Sequence, residues 1–153
     1  MSTNSFTFKI RTQFSFIVDD RTFSCILSGI AKKGINITGH FQTKLFDPNN
    51  KCNHNFTSNI VRLVVGSADA ESSRDIIGVR YVLDCLGVDF QEKSVIQVVE
   101  LTSGTPGILN YIISSLLCKV MVNALYIGEE NNCFLDVSDI CKALRILSET
   151  KVE

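Results

Sequence analysis

The 153-residue chain has no tryptophan, only two prolines and only two histidines. With His40 and His54 alone, histidine-based catalysis has few seats, and neither residue stands beside a nucleophile motif. G-x-S-x-G, H-E-x-x-H and G-x-x-x-x-G-K-[ST] are all absent, which removes the common hydrolase, zinc-protease and P-loop signatures. No two of the six cysteines are spaced as C-x-x-C, so a compact zinc or dithiol motif is not encoded. No apolar run approaches the ~20 residues of a membrane helix. Residues 1–8 lack the basic and apolar regions of a secretory leader, so a cytoplasmic protein is expected. In that setting Asn36-Ile-Thr38 and Asn55-Phe-Thr57 carry no expectation of glycosylation. Charge of one sign is also missing. Fifteen basic and sixteen acidic side chains leave a net charge of −1. Broad phosphate neutralisation and polybasic anchoring are therefore not expected, and neither nucleic acid nor membrane is an expected partner.

What is present is a core. Hydrophobic residues make up 45% and charged residues 20%, enough to fold one domain or two small ones of about 75 residues each. Residues 6–18 alternate: Phe6, Phe8, Ile10, Phe14, Phe16 and Val18 against Thr7, Lys9, Arg11, Gln13 and Ser15. Period two predicts a strand with one buried face. At thirteen residues it exceeds the usual ~5–6, so it bends or serves two sheets. After Asp19-Asp20 the period changes. Phe23, Ile26, Leu27 and Ile30 predict a helix that stops at Gly34. Alternation returns over Ile35–Leu45, residues 46–58 read as a long polar loop, and Ile60–Val65 as a third strand. Ser72-Ser73 caps a second helix through Ile76, Val79, Leu83 and Leu86, ending at Gly87. Val88–Gln91 reads as a short fourth strand.

The order then starts again. Val95–Leu101 predicts a strand, 102–107 a turn, and Ile108, Leu109, Ile112, Leu116 and Leu117 a helix face. Val120–Tyr126 and Cys133–Val137 predict strands around a Glu129–Asn132 turn. Ser138 or Asp139 caps a last helix through Ile140, Leu144 and Leu147. The expectation is an α/β chain of the α+β-sandwich type: two tandem ferredoxin-like βαββαβ units with antiparallel sheets and helices on one face. They divide as 1–92 and 93–153, the last strand of the second missing or supplied from elsewhere.

Chemistry concentrates in two strand-to-helix turns. Asp19-Asp20-Arg21-Thr22 joins the first strand to the first helix, with Gly34-Ile35-Asn36-Ile37 opening the next strand. Thr105-Pro106-Gly107-Ile108-Leu109 holds the same place in the second unit. Helix N-termini there offer unpaired N–H groups to a carboxylate, and a glycine at 107 permits close backbone approach. The acid pairs 19–20 and 129–130 read as turn and cap residues rather than as a general acid and base. Free buried thiols are the expectation for the cysteines. Cys52-Asn-His54 with His40 is a weak metal-like cluster. No catalytic residue, metal or cofactor is expected.

These residues resemble the ACT domain family. A strand ending in an acid, a Pro-Gly-hydrophobic-Leu turn, an amphipathic helix and Gly-Ile-Asn-Ile on the next strand form its pattern. Residues 106–109 supply one half of it and 34–37 the other, with Asp19 or Asp20 as the acid. The resemblance covers about 14–92 and 94–150. It implies a ferredoxin-like α/β sandwich, side-by-side pairing, and binding of a small molecule, most often an amino acid, at the seam between domains. Two departures stand beside it: Arg21-Thr22-Phe23 replaces Pro-Gly-hydrophobic in the first unit, and Lys119-Val-Met-Val-Asn123 replaces Gly-Ile-Asn-Ile in the second, making Asn123 an approximate counterpart of Asn36.

The resemblance thus implies a tandem-ACT regulatory protein, not an enzyme, with a homodimer and a regulated enzyme as partners. The candidate ligand-binding residues are Asp20, Arg21, Gly34, Asn36, Thr38, Thr105, Gly107, Ile108 and Asn123. Asn36 can donate and accept, and Arg21 can pair with a carboxylate. Gly107→Val is expected to be cheap for the fold provided Gly107 has ordinary helical dihedrals. The alternatives are a ligand-free dimerisation or assembly module and a PII-like signalling protein, whose long loop lies where 46–58 lies here. An RNA-recognition motif would need aromatics on its central strands, and Ile60–Val65 has none. Residues 6–11 are expected to add a strand to the second unit or to a second subunit, with Phe6, Phe8 and Ile10 buried.

Overall fold

A computed structural model of the chain describes residues 7–45, 58–99 and 107–149. Among the described residues it is a mixed α/β structure of six strands and four helices. In chain order these are β1 (Thr7–Asp19), α1 (Asp20–Lys32), β2 (Ile37–Lys44), β3 (Ser58–Val65), α2 (Ser73–Cys85), β4 (Phe90–Val99), α3 (Ile108–Leu116), β5 (Val122–Ile127), β6 (Cys133–Val137) and α4 (Ile140–Glu149). A tight turn, Glu129–Asn131, with Glu130 and Asn131 at φ 54° and 58°, joins β5 to β6. The chain divides into two compact units. One is 12–93; the other joins 1–11 to 94–153. β1 and β4 each give residues to both.

In the 12–93 unit the strands lie in the order β2-β3-β1-β4. β1 and β3 run antiparallel with Phe14 opposite Leu63 and Phe16 opposite Val61. Alternation in β1 follows from this pairing: Phe14, Phe16 and Val18 are buried with Phe23, Ile26 and Ile30 of α1 and Ile76, Val79, Val82 and Leu83 of α2. Asp19 caps α1, its carboxylate accepting the Thr22 N–H at 2.7 Å. The helix ends in a Schellman motif: Gly34 donates to Ala31 O at 2.9 Å and Ile35 to Ile30 O at 3.2 Å. Gly34 takes φ +69°, the left-handed value this stop requires. Ser72 caps α2 through the Asp75 N–H at 3.2 Å. Glu71 grips β1 where the chain enters this unit, accepting from both the backbone N–H and the hydroxyl of Thr12 at 2.7 Å.

In the other unit the order is β1-β4-β6-β5. Ile96 and Val98 of β4, Ile112 and Leu116 of α3, Leu135 and Val137 of β6, and Ala143 and Leu147 of α4 form its core. Phe8 packs on it, and Arg11 Nη1 donates to Gln97 Oε1 at 2.9 Å in a buried pair. Asp139 accepts the Lys142 N–H at 3.0 Å in the first turn of α4.

The observed elements differ from the sequence reading in three places. Val88–Gln91 and Val95–Leu101 were separate strands on paper; residues 90–99 are one strand, since Glu92-Lys93-Ser94 holds no glycine or proline to break it. The division between the two units, Lys93/Ser94, lies inside this strand. Ile10 is exposed, not buried; Arg11 is turned inward at this point of β1 to meet Gln97. Cys25, Cys85, Cys118 and Cys141 are free but exposed, because each lies on the outer side of a helix or helix end, and Cys133 alone is buried among the described residues. The 46–57 segment, Cys52, His54, Phe6 and residues 102–106 lie outside the described residues.

Candidate functional site

In the 12–93 unit the structure does not bring the candidate residues together: Asp20 and Arg21 open α1 beside Lys44 and Asn59, whereas Gly34, Asn36 and Thr38 follow its far end beside Val64 and Gly66. Asp20 opens α1, and its carboxylate is already engaged: Lys44 Nζ donates to Oδ1, as does Asn59 Nδ2 at 2.8 Å. The Lys44 ammonium, and after it the Asn59 amide, hold this acid below its ordinary 3.8. Asn59 is fully buried; its amide also donates to Val18 O at 3.2 Å and its carbonyl accepts from Gln42 Nε2 at 3.0 Å. The network locks β1, β2, β3 and the start of α1 together. Asp20 thus sets the floor of the turn. Asp19 is held down mainly by the Thr22 N–H it accepts. Arg21, one residue on, is exposed.

Gly34 and Asn36 are structural in part. A side chain at Gly34 would meet nothing within 4 Å, so space is open there. Asn36 Nδ2 donates to Gly66 O at 2.9 Å, and Gly66 N returns a bond to Asn36 O at 2.8 Å, tying the start of β2 to the end of β3. Thr38 is the unexplained residue. It is 2% exposed, and its Oγ1 has no hydrogen-bond partner among the described residues. It is also the extra residue of a β-bulge, for the pairing jumps from Ile37–Val65 to Gly39–Val64. Bulges re-aim side chains and cluster beside functional sites, and a buried unpaired hydroxyl needs a reason. His40, also on β2, stacks on Phe23 with centroids 6.0 Å apart.

In the other unit Gly107 precedes α3 with φ +87°. This corrects the expectation attached to Gly107→Val: a branched side chain is strained at that φ, so the substitution is costly even though nothing lies within 4 Å of the site. Ile108 begins α3 and is half-buried against the core. Asn123 is again the extra residue of a bulge, the pairing jumping from Val122–Val137 to Ala124–Asp136. Like Thr38 in β2, it is the second residue of its strand. Asn123 Nδ2 reaches Asp136 Oδ1 at 3.5 Å, and Asp136 is buried. Thr105 lies outside the described residues. Among the described residues no cluster of His, Cys, Asp and Glu could hold a metal, and no helix is long and apolar enough to cross a membrane. The paired bulges escaped the sequence reading because nothing in Ile37-Thr38-Gly39 or Val122-Asn123-Ala124 marks an extra residue before register is known.

The fold is shared with solved structures over nearly its full length. The chain resembles the protein BT0572 from Bacteroides thetaiotaomicron with a TM-score of 0.64 and 16% identity, over 92% of this chain and 88% of that one. It has the ACT-like fold. The regulatory subunit of aspartate kinase from Thermus thermophilus, in its ligand-free form, aligns with a TM-score of 0.60 and 12% identity over 98% of this ACT-like chain and 100% of the subunit. The aspartokinase alpha and beta subunits align at 0.58 and 13%, over 95% and 96%. No family model and no curated protein matches the sequence.

Proposed function

We propose that the chain is a non-catalytic regulatory protein of tandem ACT type that binds a small carboxylate-bearing molecule, most simply an amino acid. The observation that carries this reading is the mutual coverage with a whole aspartate kinase regulatory subunit, 98% of one chain and 100% of the other. The order β2-β3-β1-β4 in one unit and β1-β4-β6-β5 in the other supports reading them as two ferredoxin-like repeats, with the first half of β1 standing as fourth strand of the second. On this reading Arg21, at the start of α1, takes the ligand carboxylate, and Asp20 positions the turn. Gly34, Asn36 and Thr38, beyond the far end of α1, are candidates for a second position in the same unit. Thr105, Gly107, Ile108 and Asn123 are the second repeat's own candidates. The protein works in the cytoplasm as a homodimer and passes the bound state to a regulated enzyme.

A thermal-shift screen over the twenty amino acids tests it. A ligand at 100 times its Kd adds about 2.7 kcal/mol of stability. Arg21→Ala should abolish the shift while leaving the unliganded melt in place, since Arg21 is exposed. A melt that no amino acid, nucleotide or organic acid moves would overturn the ligand reading. One observation favours the alternative of a ligand-free assembly module: among the described residues β5 is an edge strand without a charged residue, preceded by exposed Leu117 and Met121 and ending in exposed Ile127, a composition that invites strand addition.

A further inference from the structure

Helix α2 carries two apolar stripes where one is needed. Ile76, Val79, Val82 and Leu83 enter the core. Ile77 and Tyr81, four residues apart, point the other way and are each 60% exposed. A surface helix is ordinarily polar on that side. Together with Lys32, Lys33, Arg74 and Gly78 they line a groove of about 500 Å³ in the 12–93 unit. Its floor is formed by close approach, for a Cβ at Gly78 would lie 2.7 Å from Ile35 Cδ1. Tyr81 is already ordered at its edge, with Lys33 Nζ 4.4 Å from the ring centroid, which lowers the cost of immobilising it on binding.

The charge of this face selects its occupant. Lys32, Lys33 and Arg74 stand against Asp75 as the one acid lining the groove, so the face is positive on a chain whose net charge is −1. A second copy docked face to face about a two-fold axis would set these cations against one another, which is unfavourable. An acidic partner gains where the second copy loses. The apolar pair is spaced to meet an amphipathic helix, which lays anchors at i, i+3 and i+4 into such a groove, and tyrosine and arginine are the side chains that dominate binding energy at interfaces.

We propose that the α1/α2 face centred on Ile77 and Tyr81 docks an acidic amphipathic helix of a partner protein. This stands whether or not the chain binds an amino acid.

The test is fluorescence anisotropy on the full chain with two labelled helical peptides. Both carry leucines at every third and fourth position; one has glutamates elsewhere, the other lysines. The acidic peptide should bind saturably, weaken as salt is raised, and outcompete the basic one. Ile77→Ser and Tyr81→Ala should each weaken it about tenfold. Lys33→Glu with Arg74→Glu should weaken it further and reverse the preference between peptides. All four sites are exposed, and circular dichroism melts verify each variant's fold, so loss of one variant leaves the others to decide. The proposal is overturned if the acidic peptide fails to bind. It is equally overturned if both peptides bind alike, or if the variants bind as the wild type does. Light scattering in which Tyr81→Ala turns a dimer into a monomer would also overturn it, by giving the face to a second copy.

Discussion

Gly29 on α1 and Gly78 on α2 offer a paired perturbation whose two halves should differ in sign. Both are interior helical positions, where alanine is worth about 0.8–1 kcal/mol over glycine by propensity alone. What the new methyl meets separates them. At Gly78 it would lie 2.7 Å from Ile35 Cδ1, the far end of a flexible side chain, with the next atom, Lys33 Cδ, at 3.5 Å. One χ rotation of Ile35 relieves that contact, at about 0.5 kcal/mol if the new rotamer is staggered. At Gly29 the methyl would lie 2.8 and 3.3 Å from the two Cγ atoms of Val82, a β-branched side chain that is buried and has one strongly preferred helical rotamer. Val82 cannot turn away, so the helices must separate, an overpacking cost of about 1–3 kcal/mol. Gly78→Ala should therefore gain roughly 0.5 kcal/mol, and Gly29→Ala should lose roughly 1 kcal/mol. In a chain of this length the two melting temperatures should differ by about 3–6 °C, readable by calorimetry with urea melts as a second measure. A Gly29→Ala variant as stable as Gly78→Ala would refute the claim that Val82 fixes the separation of α1 and α2.

Three further outcomes are expected. Asn59→Ala removes the donors to Val18 O and Asp20 from a fully buried site and should cost about 2–3 kcal/mol in a urea melt. Asp19 and Asp20 both titrate below 3.8 in the folded chain, so their stabilisation is present above that value and lost as pH falls through the depressed one. Urea melts at a series of acidic pH values should show this loss in the wild type and less of it in Asp20→Asn; an unchanged profile would remove Lys44 and Asn59 as the cause. Burial pushes the Cys133 thiol up to about 12, so a thiol reagent should label Cys25, Cys85, Cys118 and Cys141 in the native protein and reach Cys133 only after unfolding, as peptide mass mapping would report.

Much of the fold was legible from local pattern. Period two in residues 14–18, the spacing of Phe23, Ile26 and Ile30, the caps at Asp19 and Ser72, and the stops at Gly34 and Gly87 each state a local rule that the tertiary structure obeys. What failed to show was set by pairing. Residues 88–101 read as two strands because the apolar content dips at Gln91-Glu92-Lys93, yet nothing there ends a strand. Arg11 reads as an outward residue until Gln97, eighty-six positions away, is known to accept from it. Gly107 could not be told from an ordinary helix start without its φ. Among the candidate residues, sequence chose the turn around Asp20 and the strand through Thr38, but could not show that these lie at opposite ends of α1, that Asp20 is spoken for by Lys44 and Asn59, or that Thr38 and Asn123 each occupy a bulge.

The sharing of β1 between the two units bears on how the chain is made. Residues 7–11 leave the ribosome well before residues 94–153, the part of the sequence they finally join. The 12–93 unit holds its own core and can condense as soon as Lys93 is out, since domains fold as units during synthesis. The first half of β1 must then wait, its backbone groups unpaired, for residues 94–153, the sixty that follow. Contacts of that sequence separation are slow to form, so a nascent chain stalled near residue 93 should hold a folded unit with a loose strand at its leading end. That interval is when this protein is most open to chaperones, and to pairing with a neighbour's strand instead of its own.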